Sequence, residues 1–193
     1  MSVFKDHKIS LKQILEFVPR ALLSHLSATT KVDYYSKVLH GEKMFYLLLF
    51  CIFDNEKLSQ RTLEDTFNSS GFKALFGLGE EEKIRRSSIS ERLSKIDPNY
   101  FKEIYEYIYE RFSSLYDKTE TEKYNLIRVD STIVSHASSR LKEGIDQKNG
   151  KKLVKFSFSF DGILPSAVEI FNTQKYSSEE VALPEAILNQ VKK

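Results

Sequence analysis

The apolar pattern of this chain changes period once, and that change limits the possible folds more than any other feature. Up to residue 116 apolar residues recur at helical spacing. Beyond the charged stretch 117–123 (DKTETEK) they alternate, most cleanly in residues 153–160 (LVKFSFSF). There Val154, Phe156, Phe158 and Phe160 share one face, and Lys155, Ser157 and Ser159 share the other. Side chains come back to the same face every 3.6 residues on a helix and every two on a strand. The expected architecture is therefore α+β, with a helical domain over residues 1–123 and a sheet-bearing domain over 124–193.

Composition narrows the setting. The 29 basic and 27 acidic residues nearly cancel, so any nucleic-acid surface has to be local. Apolar residues make up 41% of the chain, enough for a core. The one cysteine, Cys51, excludes an internal disulfide framework and a cysteine-rich zinc site. The N-terminus, MSVFKDHKISLKQ, has no signal-peptide core. The longest apolar run, residues 44–53 (MFYLLLFCIF), is about half the ~20 residues that cross a bilayer, and reads as a helix at the centre of a bundle. No membrane partner and a cytoplasmic setting are expected.

Within the helical part, Ser10 opens a pattern that runs to Leu26, with Pro19 predicting a kink or two short helices. Residues 27–30 read as a break, 31–39 as a further short helix, and Gly41 as punctuation before the apolar run. Ser59 is placed as the cap of a helix over residues 60–67, and Phe72, Leu75, Phe76 and Leu78 as a short helix beyond it. In residues 83–96 (KIRRSSISERLSKI), Ser88 and Glu91 have the spacing of a capping box. Arg85 and Arg86 precede that point; Arg92 and Lys95 follow it. Two readings compete for this segment: a basic helix that meets phosphates or a groove, or a solvated amphipathic helix whose arginines are offset by residues 80–82. Asp97-Pro98 is a strong helix start, and that helix is expected to reach about Tyr116.

In the second part, the strand 126–135 carries one carboxylate, Asp130. A charge within a strand is solvated, paired (here with Arg128, two residues away on the same face) or bound to a metal. Residues 137–150 form a polar loop ending in an Asn149-Gly150 turn signal. Between 140 and 155, Arg140, Lys142, Lys148, Lys151, Lys152 and Lys155 face only Glu143 and Asp146. That surplus reads either as a nucleic-acid contact or as a solvated loop. Asp161-Gly162 turns the chain into a third strand over 167–173, so an antiparallel sheet is expected. Ser177 or Ser178 caps a last helix, which Pro184 disturbs unless the helix starts near Leu183. Three strands and one helix are little more than half of a layered α/β domain, so the second domain reads as cut short.

The order VDSTIVS, basic loop, KFSFSFDG and ILPSAVEIFNT…SSEEVALPEAI resembles bacterial insertion-sequence transposases of the insertion-sequence-four type. VPRALLSHLSATTKVDYYSKVLHGEKMFYLLLF likewise resembles their helical N-terminal region. The resemblance implies a ribonuclease-H-like fold, incomplete in this chain, and a DDE triad whose first Asp matches Asp130. Asp130 would then ligate divalent ions, most plausibly Mg2+, in two-metal phosphoryl chemistry that nicks transposon ends and joins them to target DNA. Ser131 and Thr132 would help orient it, a role that strand packing explains equally well. DNA ends and target are the implied partners, with a homo-oligomer and a nucleoid-associated bacterial location. Arg85, Arg86, Arg92, Lys95, Arg140, Lys142, Lys151 and Lys152 would contact the DNA. In the family the second Asp follows a later strand and the Glu lies on a helix further on. Asp161, Glu169, Glu179, Glu180 and Glu185 match neither position. The expectation is a truncated transposase, inert on its own, with a non-catalytic DNA-binding regulator or transposition inhibitor as the rival.

Overall fold

The computed structural model describes residues 11–54, 58–115, 123, 127–137, 143–148, 150–162 and 164–191. It mixes helices with one antiparallel sheet, and divides into two units, Met1–Ile108 and Tyr109–Lys193. The division falls inside a helix. Among the described residues, no helix is long and apolar enough to cross a membrane.

The first unit opens with α1 (Leu11–Phe17) and α2 (Arg20–Thr30), separated at Pro19 as its missing N–H requires. The expected break at 27–30 is overturned. Thr30 Oγ1 donates to the Leu26 carbonyl at 2.7 Å and Thr29 Oγ1 to the same carbonyl at 3.2 Å, so these hydroxyls bond back into the helix. The helix stops one residue later, at Lys31, whose φ of 53° is left-handed. The short helix expected over 31–39 is also absent; the segment is a series of turns. Its carbonyls and its Asp33 carboxylate serve other partners, described below.

Next comes α3 (Gly41–Asp54), which is the expected core helix: Met44, Leu47 and Cys51 are fully buried. Gly41 is its first residue rather than a break. A Cβ there would lie 2.8 Å from Val32 and 3.0 Å from the Tyr100 ring, so only glycine admits this approach. Ser59 caps α4 (Gln60–Phe67) in a reciprocal box with Thr62. Cys51 Sγ meets Thr66 Oγ1 of that helix at 3.1 Å. Further on are α5 (Ser70–Phe76), α6 (Arg86–Lys95) and α7 (Pro98–Ser113). Phe67, Phe72 and Phe76 stack in sequence, and Ile89, Tyr100 and Ile104 complete the core. Asp97 accepts from Asn99 N at 2.9 Å at the start of α7. Burial pushes the Tyr100 phenol above its ordinary pKa, and the Asp33 and Glu42 carboxylates add to that, against a lowering by the Ser27 hydroxyl.

The second unit is a sheet under one helix. Strand β1 (Arg128–Ala137) pairs with β3 (Lys152–Phe160), and β3 pairs on its other side with β4 (Pro165–Phe171); all pairings are antiparallel. A two-residue β2 (Ile145–Asp146), inside the stretch read as loop, also joins β3. After a 3-10 turn, α8 (Glu179–Val191) packs on the sheet. It runs through Pro184, against expectation. The proline removes one N–H, whose acceptor would be the carbonyl of Glu180 at an exposed position.

The register fixes the faces. Asp130, Thr132 and Val134 share one with Phe158, Phe156 and Val154; Val129, Ser131 and Ile133 share the other with Ser159, Ser157 and Lys155. The polar face of β3 is the enclosed one. Ser157 and Ser159 are fully buried, and Lys155 is only 2% exposed. Ala182 and Ala186 of α8 lie in the cluster over this face with Phe171 and Val129. Ser131 and Ser157 share a hydroxyl hydrogen bond at 3.0 Å, and Lys155 Nζ reaches Glu179 at 2.9 Å.

Removing Glu179 strands a buried ammonium. Since Glu179 is itself about half exposed, water replaces part of the pairing, and Glu179→Gln is expected to cost about 1–2 kcal/mol. Lys155→Met, which removes the charge and keeps the volume, is expected within about 1 kcal/mol of the parent or above it. Urea denaturation of both variants checks the pair.

Candidate nucleic-acid interface

The basic helix α6 starts earlier than a Ser88–Glu91 capping box would place it. Its cap position is Arg85, which gives no side-chain cap, and Ser88 N already bonds the Arg85 carbonyl at 3.0 Å. Glu91 thus sits mid-helix, where it pairs with Lys95 at 2.6 Å; that hydrogen bond, and then the charge behind it, lowers the Glu91 pKa. Arg85 is exposed at the helix start. Arg86 is also exposed and pairs with Glu64 at 3.1 Å.

Arg92 has a different place. Its side chain is 12% exposed. Nε donates to the Leu39 carbonyl and Nη2 to the Val32 carbonyl, each at 2.8 Å, and Nη2 also lies 3.4 Å from Asp33 Oδ1. That same Asp33 oxygen accepts from Gly41 N at 2.6 Å, the first amide of α3. Arg92 therefore ties both ends of the 31–40 loop to α6, and the loop's Asp33 caps the core helix. Burial lowers the Arg92 pKa from the ordinary guanidinium value; Asp33 opposes that.

Between this loop and α6 lies a cavity of about 550 Å3. Lys31, Lys37, Lys83 and Lys95 line it, together with Tyr34 and Tyr35. The two rings meet edge to face at 4.4 Å, and Tyr35 is 95% exposed with φ of 101°, a conformation that costs a bulky residue about 1–3 kcal/mol. Of the residues around the cavity, sequence reasoning singled out Arg92 and Lys95 and missed the loop. The available signal was the K-V-D-Y-Y-S-K run itself, two adjacent tyrosines flanked by lysines.

In the second unit, Asp130 is exposed on β1, directly across from Phe158. Arg128 shares its face but donates to the Gly162 carbonyl and lies over the Phe160 ring at 6.0 Å, so the Arg128–Asp130 pair is not formed. Ser131 faces the opposite side, toward Ser157. Glu169 is also on that opposite side, in register with Ser157. Asp161 accepts from the Tyr109 hydroxyl. Lys151 is exposed just before β3 and Lys152 is half-buried at its first position, while Arg140 and Lys142 lie outside the described residues. Lys155 leaves the basic patch altogether, because it points under α8 to Glu179. Among the described residues, no group of three or more His, Cys, Asp and Glu side chains comes together to hold a metal.

Comparison of the chain with protein-family models, curated proteins and solved structures finds no match.

Two outcomes follow from the loop geometry. Arg92→Ala removes charge-assisted bonds to two carbonyls and is expected to cost about 2–4 kcal/mol in urea denaturation, with Arg92→Lys recovering only part because an ammonium lacks the planar fork. Tyr35→Gly relieves a left-handed backbone at the expense of glycine's entropy, so stability is expected to hold or rise by up to about 1 kcal/mol. A loss larger than that would mean the ring is packed.

Proposed function

We propose that this chain is the DNA-engaging part of a DDE-type insertion-sequence transposase, with a helical DNA-binding unit followed by the opening strands of a ribonuclease-H-like domain. One observation carries the reading: the segments that resemble the family fall together on one sheet. VDST lies on β1, KFSFSF on β3 beside it, and PSAVEIF on β4 beside that. Asp130 is then an exposed carboxylate on a strand fixed along its length by β3, a rigid base for a site that handles phosphates.

The metal side of the reading does not carry over to the residues present. A two-ion Mg2+ site needs several carboxylates converging, and the described residues bring no such group together. No catalytic step is therefore assigned to them. The rival reading is a non-catalytic DNA-binding regulator derived from such a transposase, which needs the same basic contacts and no metal site.

In both readings the DNA contacts are electrostatic, with Arg85 and Arg86 at the start of α6 and Lys151 and Lys152 at β3. Anisotropy titrations with duplex from the ends of the surrounding genetic element, repeated across salt concentrations, test this. Binding is expected to weaken with salt at a log–log slope of about 0.9 per phosphate engaged, and replacing Arg85 and Arg86 by Gln is expected to lower the slope by about one per arginine. Asp130→Asn is expected to leave binding unchanged. Duplex binding that is absent, or insensitive to salt, would sink both readings.

A further inference from the structure

We propose that the cavity between the 31–40 loop and α6 binds a nucleotide, its base against Tyr34 and Tyr35 and its phosphate among the lysines. This goes beyond the transposase reading and does not depend on it. The volume, about 550 Å3, falls within the ~300–1,000 Å3 of small-ligand sites. The charge is one-sided. Lys31, Lys37 and Lys83 have no ion-pair partner among the described residues, and the one carboxylate on the wall, Glu91, is occupied by Lys95.

The aromatic component selects among anions. An inorganic anion would leave two exposed rings idle, whereas a base has a π-face for them and every base can use it. Both tyrosines line the cavity on a backbone that is left-handed at Tyr35, and Arg92 pins the loop on either side of them.

The test uses the full chain with a fluorescein-labelled oligothymidylate, displaced in turn by thymidine monophosphate, inorganic pyrophosphate and a glutamate-rich peptide. Binding of the oligothymidylate and its displacement by thymidine monophosphate are expected. Tyr35→Ala, at a position whose side chain is almost wholly exposed, is expected to weaken both nucleotide ligands roughly ten-fold and leave pyrophosphate unchanged. The double variant Lys37→Gln with Lys83→Gln is expected to weaken all three. Comparable affinity for the monophosphate and the oligomer would identify a free nucleotide as the ligand; much tighter, more salt-sensitive binding of the oligomer would identify a nucleotide within a strand.

The proposal is overturned if pyrophosphate or the acidic peptide displaces as well as the nucleotide and Tyr35→Ala changes nothing. It is equally overturned if a chain with the normal urea transition binds no nucleotide. Duplex binding through Arg85 and Arg86 is a separate readout, so either reading can fail alone.

Discussion

The guanidinium of Arg92 ties both ends of the 31–40 loop to α6. Its carbonyl acceptors, Val32 and Leu39, stand near the two ends of one loop and are themselves buried through their side chains. Between those fixed ends Tyr34 and Tyr35 face outward, while Val38 packs against the core. Asp33, at the edge of the same cluster, closes the amide end of α3, so the helix at the centre of the core begins where the loop is tied. The cost of burying a cation is met by two carbonyls and a carboxylate around it. Core order and surface cavity thus share one set of hydrogen bonds.

The second unit solves a different problem. Its central strand has neighbours on both edges, and α8 covers the side that carries hydroxyls. Ser157 and Ser159 are small, and the helix residues over them are Ala182 and Ala186, so helix and sheet approach closely with little side-chain volume between them. Lys155, on the same face of β3, extends to the helix start and meets Glu179. On the opposite face Val134 is 48% and Ile170 59% exposed, beside the half-buried phenylalanines of β3. Hydroxyl and ammonium groups are therefore inside, and much of the apolar surface is outside.

Much of this was legible in the sequence. The division into helices and strands, the split at Pro19 and the caps at Ser59 and Asp97 follow from local chemistry, because each rests on residues within a few positions of one another; the antiparallel pairing was expected from the succession of strands. What was not legible depends on distant partners. Thr29 and Thr30 read as a break until their hydroxyls are seen bonding back along α2. Residues 31–39 carry helical spacing, but their carbonyls are claimed by Arg92, sixty residues away from Val32. The alternation of β3 shows its two faces without showing which one a helix will cover. Asp130 was found as a lone strand carboxylate; the tyrosine-lysine cavity was not found, since it exists only once α6 lies across the loop.

Cys51 has a consequence of its own. It is the single cysteine of the sequence, fully buried, with its sulfur against Thr66 of α4. A thiol reagent can reach it only when α3 and α4 part. The rate of its modification is therefore a clock for the opening of the helical unit, supplied by the native chain without any added label, and the sheet unit contributes nothing to that signal.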